Sequence, residues 1–252
     1  MTRRFIYIAL LASCLIAAGL TVHPAWAQNA PRPGMLVRAW LASQAERGGT
    51  IGRVKLHERA EWTIDGPFGV RSIGWEASVS GGPDTDGWQR DPISVRANGR
   101  PIPLTRWPDL DQQRRRMMGP HAEGVARAVI QFHRLIANMR PSGEAVHEAL
   151  EGVPCWRVEM VPRRPREAVE RYTLWFDQDT GHLVRSRALV RAPRTDRPFL
   201  ITTEYTRADG FDVPSRRLME GTTKTRRRRR TYTVLFKYEA AYSDYRFFRN
   251  EF

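Results

Sequence analysis

The segment from Arg171 to Arg187, RYTLWFDQDTGHLVRSR, constrains the fold most, because it has the pattern of two strands joined by a tight turn. Tyr172, Leu174 and Phe176 alternate with residues that point to the opposite face of the first strand. The DQDTG sequence supplies turn chemistry, and Gly181 can adopt the positive φ of a bulged hairpin without a Cβ penalty. A hairpin with an apolar face needs further structure to cover it, so the segment predicts an antiparallel sheet.

The same alternation recurs elsewhere and predicts more strands. Five apolar residues repeat at every second position, with Glu58 as the exception, at Val54, Leu56, Ala60, Trp62 and Ile64. A similar run over 73–79 follows the turn at 65–67, and the turn pair Asn98-Gly99 predicts a short hairpin. Six strands are predicted in the second half, at 153–161, 172–176, 183–190, 199–205, 211–219 and 232–238. The aromatic stretch at the C-terminus is expected to pair at a sheet edge.

Three segments have helical spacing instead. Residues 35–45 predict a short N-terminal helix, and residues 108–118 and 122–139 predict two helices separated by Gly119-Pro120. The last of these carries one apolar stripe, formed by Val125, Val129, Phe132, Ile136 and Met139. A sheet of roughly nine or more strands curls as twist accumulates. We therefore predict a mainly β (α+β) fold, in which a curled antiparallel sheet forms an incomplete barrel and helices from the insertion at about 108–139 plug its concave face.

Residues 1–27 have the features of a secretory signal peptide. Two arginines precede an apolar run over 5–20, and Ala25-Trp26-Ala27 forms a small-x-small cleavage site. The run is shorter than the roughly 20 residues of a membrane span. We expect cleavage after Ala27, a periplasmic location and a single domain over 28–252. Lipid anchoring at Cys14 is disfavoured because the apolar run continues well past it, and a retained membrane anchor is the third alternative.

Composition limits the partners of an exported chain. The leader contains two arginines and no acidic residue, so cleavage lowers the formal net charge from +14 to +12. Cys155 is then the single cysteine, so no internal disulfide can form and the fold rests on packing. Nucleic acid is not an expected partner outside the cell, whereas an anionic membrane surface is. The candidate contact is the run Arg226, Arg227, Arg228, Arg229 and Arg230, for which a solvated loop is the alternative interpretation.

No motif predicts catalysis, a metal site or a cofactor. The chain lacks the GxSxG and HExxH motifs, a Gly-rich phosphate loop and metal-ligand spacing of Cys and His. The histidines are scattered along the chain. We therefore expect a protein that is not an enzyme, and a hydrolase with an unrecognised site is the remaining enzymatic alternative.

Three segments, YTLWFDQDTGHLVRS, EYTRADGFDVPSRR and KYEAAYSDYRF, together with the signal and the order of elements, resemble the periplasmic lipoprotein-carrier superfamily. That superfamily includes the LolA and LolB carriers and the sensor RseB. The resemblance implies an incomplete barrel around a helical lid, which binds acyl chains or lipoproteins inside. The implied function is to hold lipid or lipoprotein acyl chains in an apolar groove for transfer to the outer membrane. The alternative is an envelope sensor or scaffold that binds a protein partner.

The candidate lining of such a groove consists of strand tryptophans, adaptable methionines and the helical stripe. These residues are Trp62, Trp75, Met117, Met118, Val125, Val129, Phe132, Ile136, Trp156 and Trp175. Ordinary core packing is the alternative role for the tryptophans. Each methylene of an acyl chain that leaves water contributes about 0.8 kcal/mol, so a groove of this kind needs no catalytic or charged residue to bind its ligand.

Overall fold

The computed structural model describes residues 30–48, 51–82, 88–118, 132, 135–164, 169–191, 198–227 and 230–249. The elements below belong to one compact unit, Pro31–Phe252. Its strands are β1 (Ile51–Gly66), β2 (Gly69–Gly81), β3 (Gln89–Ala97), β4 (Arg100–Pro101), β5 (Met139–Pro141), β6 (Val146–Leu150), β7 (Val153–Pro162), β8 (Val169–Asp177), β9 (Leu183–Val190), β10 (Phe199–Ala208), β11 (Phe211–Arg227) and β12 (Arg230–Arg249).

These twelve strands form one antiparallel sheet. Their order is β4-β3-β2-β1-β12-β11-β10-β9-β8-β7-β5, and β6 pairs with β7 beside β5. The sheet is not closed, because β4 and β5 at its two ends do not pair with each other. The prediction of a mainly β fold with an incomplete barrel is therefore confirmed.

The helices in the described part of the chain are α1 (Pro33–Gly48) and α2 (Trp107–Met118), with a 3₁₀ turn over Leu104–Arg106 before α2. Phe132 and residues 135–137 are also helical. The helix predicted over 122–139 was wrong at its end, because Met139 begins β5 and pairs with Pro162 of β7. The rest of that prediction, over 122–131, lies outside the described residues. None of the helices described here is long and apolar enough to cross a membrane.

The hairpin between β8 and β9 has the predicted turn. The carboxylate of Asp177 accepts hydrogen bonds from the backbone N–H of Asp179 at 3.0 Å and of Thr180 at 2.8 Å. Gly181 has a φ of 69°, and its N–H donates to the backbone oxygen of Asp177 at 2.9 Å. The aspartate side chain thus satisfies the turn's backbone donors, which is the structural role expected of Asp in such turns.

The C-terminal strand lies at the centre of the sheet, and the expectation that it pairs at an edge was wrong. β12 is continuous from Arg230 to Arg249 and pairs with β1 on one side and with β11 on the other. Its apolar alternation changes phase once, between Tyr242 and Tyr245, where the register with β1 shifts and Asp244 has a φ of 54°. The bulge keeps Tyr238, Tyr242, Tyr245 and Phe247 on the same side, so one long strand can bury an apolar face along most of its length. The chain's last strand therefore joins its first hairpin to its second half.

Most of the buried apolar side chains lie on one face of this sheet, which we call the inner face; the opposite face is the outer face. Leu174 and Phe176 of β8, both fully buried, belong to the inner cluster, together with Val158 and Met160 of β7. Helix α1 contacts β11 and β5 and adds Trp40 to the cluster. The inner face is therefore the place to look for a binding site.

Candidate functional site

Three of the predicted tryptophans lie on the inner face. Trp62, Trp75 and Trp156 are all buried members of its apolar cluster. The ring centroid of Trp75 lies 6.1 Å from that of Trp107 at the start of α2 and 6.0 Å from that of Tyr238 in β12. Period-two alternation brings the strand residues among these rings to one side of four different strands.

The helical segment around Phe132 packs against this face, as expected for a helical cover. The Phe132 ring centroid lies 5.8 Å from that of Trp40, 5.7 Å from that of Tyr172 and 5.8 Å from that of Tyr205. Ile136, one turn later, is fully buried. Phe132 thus connects α1, β8 and β10, and Ile136 belongs to the same apolar cluster.

Trp175 does not join the other tryptophans. Trp156 is in register with Phe176, whereas Trp175 is in register with Arg157 and lies on the outer face. The guanidinium of Arg187 lies 5.5 Å from the Trp175 ring centroid, in cation–π geometry. Trp175 thus lies between its register partners Arg157 and Arg185 and outside the apolar cluster.

The side chains of the remaining predicted site residues lie outside the described part of the chain. The side chains of Met117 and Met118, and the whole of Val125 and Val129, lie outside the described residues. The side chains of the arginine run Arg226–Arg230 also lie outside them, although β11 extends to Arg227 and β12 starts at Arg230. Arg226 and Arg227 therefore lie at the end of β11 and Arg230 at the start of β12, with Arg227 in register with Arg230.

A buried ion pair explains why Glu58 interrupts the alternation of β1. Glu58 points to the inner face and is 1% exposed, and both of its carboxylate oxygens accept from Arg90 of β3, at 3.1 and 3.3 Å. The indole N–H of Trp75 donates to the same carboxylate at 2.7 Å. A buried charge needs an opposite charge and hydrogen bonds to offset its lost hydration, and Arg90 and Trp75 supply them here. The ion pair is therefore a polar group without net charge within an apolar face.

A second buried carboxylate holds α1 on the sheet. Oδ2 of Asp212 accepts from the Trp40 indole N–H at 2.8 Å and from the Leu183 backbone N–H at 3.1 Å. Gln44 of α1 makes two hydrogen bonds with Asp212. Its side-chain Nε2 donates to Asp212 Oδ2 at 3.5 Å, and its Oε1 accepts from the Asp212 backbone N–H at 3.3 Å. His182 Nδ1 lies 3.2 Å from the other carboxylate oxygen, Oδ1. Asp212 therefore joins α1, β11 and the start of β9.

The outer face carries a different kind of surface, in which arginines and glutamates pair across neighbouring strands. The pairs are Arg59–Glu76 at 3.5 Å, Arg157–Glu148 at 3.3 Å, Arg185–Glu204 at 3.0 Å and Arg216–Glu239 at 2.6 Å. Exposed cross-strand pairs of this kind contribute little to stability individually. They do neutralise much of the arginine charge on that face.

Among the described residues, no group of three or more His, Cys, Asp and Glu side chains is arranged to hold a metal ion. Cys155 is buried, and burial raises the pKa of its thiol. A thiol of raised pKa is a poor nucleophile, which fits the role of a small packing residue.

No family model matches the chain, and no curated protein matches it. Solved structures do match it. A DUF1329 family protein from Desulfovibrio piger is 13% identical over 84% of this chain and 92% of that one, with a TM-score of 0.36. A LolA superfamily protein from Nitrosomonas europaea is 10% identical over 85% and 94%, with a TM-score of 0.42.

A structure described as an outer membrane lipoprotein-sorting protein domain, from Vibrio parahaemolyticus, is 12% identical over 84% of this chain and 93% of that one, with a TM-score of 0.38. These matches include the superfamily that the sequence resembles. At such identities and TM-scores, the likeness carries no conclusion about a ligand, which has to be inferred from the chain's own residues.

Proposed function

We propose that the chain is an exported periplasmic binding protein that holds lipid, or the acyl chains of a lipoprotein, against the inner face of its sheet. The observation that carries the proposal is the aromatic inner face of an unclosed sheet, against which Phe132 packs through three ring contacts with α1, β8 and β10. An acyl chain can replace such contacts if the helical cover moves. Delivery of the cargo to the outer membrane is part of the proposal.

The energetics of this site are those of an apolar surface. Burying eight methylenes of an acyl chain contributes about 6 kcal/mol at 0.8 kcal/mol each. That is intermediate between the free energies of millimolar and micromolar binding. No catalytic group is needed, and the neutral Arg90–Glu58 pair can accommodate an ester or hydroxyl group without leaving an isolated charge.

Native mass spectrometry tests the proposal on protein purified from the periplasm without detergent, followed by organic extraction of anything bound. Discrete added masses that extract as phospholipid or acylated peptide are expected. A bare protein mass, together with failure to take up a fluorescent fatty acid, would overturn the proposal and favour a sensor or scaffold that binds a protein partner.

A matched pair of variants locates the cargo. Phe132→Ala should raise lipid occupancy, because it removes the ring that an acyl chain has to displace from Trp40, Tyr172 and Tyr205. Leu235→Ala removes an apolar side chain that is 57% exposed in β12, and it should leave occupancy unchanged. Equal occupancy in both variants and the parent protein would count against this placement of the cover.

We also propose that the arginine run Arg226–Arg230 contacts an anionic membrane surface, for which its charge density is the support. Replacing all five arginines by Gln should reduce cosedimentation with phosphatidylglycerol vesicles and should leave the negligible binding to phosphatidylcholine vesicles unchanged. Undiminished binding to the anionic vesicles would leave the run without this role.

A further inference from the structure

One arginine points to the inner face without the carboxylate that accompanies the other arginine there. Arg217 of β11 is in register with Thr203 of β10 and with Ala240 of β12, which are 2% and 1% exposed. Arg216, the preceding residue, points to the outer face and pairs with Glu239 at 2.6 Å. Strand alternation therefore assigns two adjacent arginines to opposite faces of the sheet.

The only hydrogen bond of the Arg217 guanidinium to the described residues is a long one. Its Nε donates to Thr203 Oγ1 at 3.3 Å, and no Asp or Glu among the described residues lies within ion-pair distance. Arg90, the other inner arginine, instead has a bidentate pairing with Glu58. Within the described part of the chain, Arg217 thus adds a positive charge that nearby carboxylates do not neutralise.

Tyrosines surround this charge. The inner-face neighbours of Ala240 along β12 are Tyr238 and Tyr242, and Tyr205 lies two residues beyond Thr203 in β10. Burial raises the pKa of five tyrosine hydroxyls, and the positive charge of Arg217 opposes the rise in each of them, at Tyr172, Tyr205, Tyr238, Tyr242 and Tyr245. The hydroxyls stay neutral at physiological pH and bond mainly to one another and to nearby groups: Tyr245 donates to the Pro214 backbone oxygen at 2.6 Å, Tyr205 lies 3.0 Å from Ser186 Oγ, and the Tyr238 and Tyr242 hydroxyls lie 3.3 Å apart. None of them supplies a negative charge to Arg217.

An apolar row runs beside Arg217 across the sheet. Two residues further along β11, Met219 is in register with Tyr238 and Ile201, and Tyr238 is in register with Trp62. Met219 and Trp62 are buried in the inner cluster, and Ile201 packs against it. A cation and an extended apolar strip thus lie side by side on one face.

We propose that Arg217 binds the anionic group of an amphiphilic cargo whose acyl chain lies on the adjacent apolar row. The inference rests on the proposed function and makes it more specific, because it selects anionic amphiphiles over neutral ones. The planar guanidinium presents two parallel N–H donors that match a carboxylate or a phosphate. Both anions share this chemistry, and they differ in source: a fatty acid supplies the carboxylate and a phospholipid supplies the phosphate.

The test compares pairs of probes that share an acyl chain, one member with an anionic headgroup and the other with a neutral one. Palmitate and methyl palmitate compete with a fluorescent fatty acid at pH 8, where a carboxylate is ionised. We expect palmitate to bind about tenfold or more tightly than the ester, as for a hydrogen bond to a charged group. Lysophosphatidylglycerol and monopalmitoylglycerol form the second pair, and a preference in one pair alone identifies the source of the anion.

Three variants assign the preference to Arg217. Arg217→Gln should abolish it and leave the affinity for the neutral ester within about twofold of the parent, which also shows that the variant is folded. Arg217→Lys should retain part of it, since the charge remains but the paired donors are lost. Arg216→Gln, one residue away on the outer face, should leave it unchanged.

Equal affinity of the unmodified protein for the charged and neutral members of both pairs would overturn the role of Arg217 while leaving the apolar cargo site intact. A preference that survives Arg217→Gln would overturn it equally. Failure of all four probes to compete, with no lipid in native mass spectra, would instead overturn the proposed function and this inference with it.

Discussion

Replacing Asp212 by Asn tests how α1 is held on the sheet. Oδ2 of Asp212 accepts from Trp40 Nε1 at 2.8 Å and from the Leu183 N–H at 3.1 Å, and Oδ1 faces His182 Nδ1 at 3.2 Å. An amide has a single acceptor oxygen. In either orientation of the Asn side chain, its NH₂ group takes the place of one carboxylate oxygen and faces the hydrogen-bond donors that this oxygen accepted from.

The neighbouring arginine makes both orientations unfavourable. A side-chain N–H of Arg207 lies against Nε2 of His182. A guanidinium has no acceptor atom, so we assign the lone pair to Nε2 and the proton to Nδ1, which faces Asp212. In the variant, an NH₂ group turned toward His182 would oppose the Nδ1 donor, and one turned toward Trp40 would oppose the indole and the Leu183 backbone N–H. At least one hydrogen bond to a charged acceptor is lost, which costs about 1.5–3 kcal/mol.

Urea unfolding followed by tryptophan fluorescence measures this cost. We expect Asp212→Asn to lower the free energy of unfolding by about 1.5–3 kcal/mol without changing the m-value. Trp40→Phe, which removes the indole donor, should cost less, and the double variant should fall short of the sum by about 1 kcal/mol, since the two residues share one hydrogen bond. A loss below about 0.5 kcal/mol for Asp212→Asn would refute the assigned hydrogen bonds and tautomer.

Arg90→Met should lower the free energy of unfolding in urea by about 3–5 kcal/mol, because the carboxylate of Glu58 stays buried without its partner. Replacing both Arg90 and Glu58 by apolar residues should recover most of that loss, and a double variant without recovery would contradict this account of the ion pair. Gly221→Ala should lower the free energy of unfolding by about 1–3 kcal/mol, because the added Cβ would lie 2.5 Å from Cβ of Phe199. Gly74→Ala is the control, since its Cβ would lie 3.6 Å from the nearest atom, and similar losses for both variants would refute the argument. Burial raises the pKa of Tyr172 and Tyr238 from 10.0 to about 12, so the folded state holds both protons more tightly. Their contribution to the free energy of unfolding is complete below pH 10 and is lost as the pH rises toward 12. In an ultraviolet titration, these buried tyrosines should ionise at higher pH than the exposed ones in the folded protein, and together with them once the protein is unfolded.

Much of the sheet follows from local sequence. The alternation of β9 predicts its bounds, Leu183–Val190, as found, and the DQDTG turn depends on Asp177 and Gly181 within the same few residues. Trp62, Trp75 and Trp156 reach the inner face because each is in phase with the apolar residues of its own strand. Such features need no knowledge of distant residues, since a strand's period of two is a local property.

The sequence by itself thus determined a large antiparallel sheet, its hairpins and a helical cover. Only the tertiary structure decided that β12 lies at the centre and that Arg217, rather than Arg216, faces inward. It also brought Asp212 to Trp40, 172 residues away. The physical reason is register: a shift of one residue exchanges the two faces of a strand, and a bulge such as the one between Glu204 and Tyr205 makes that shift. Pairing between distant strands fixes the register, and no local pattern encodes it.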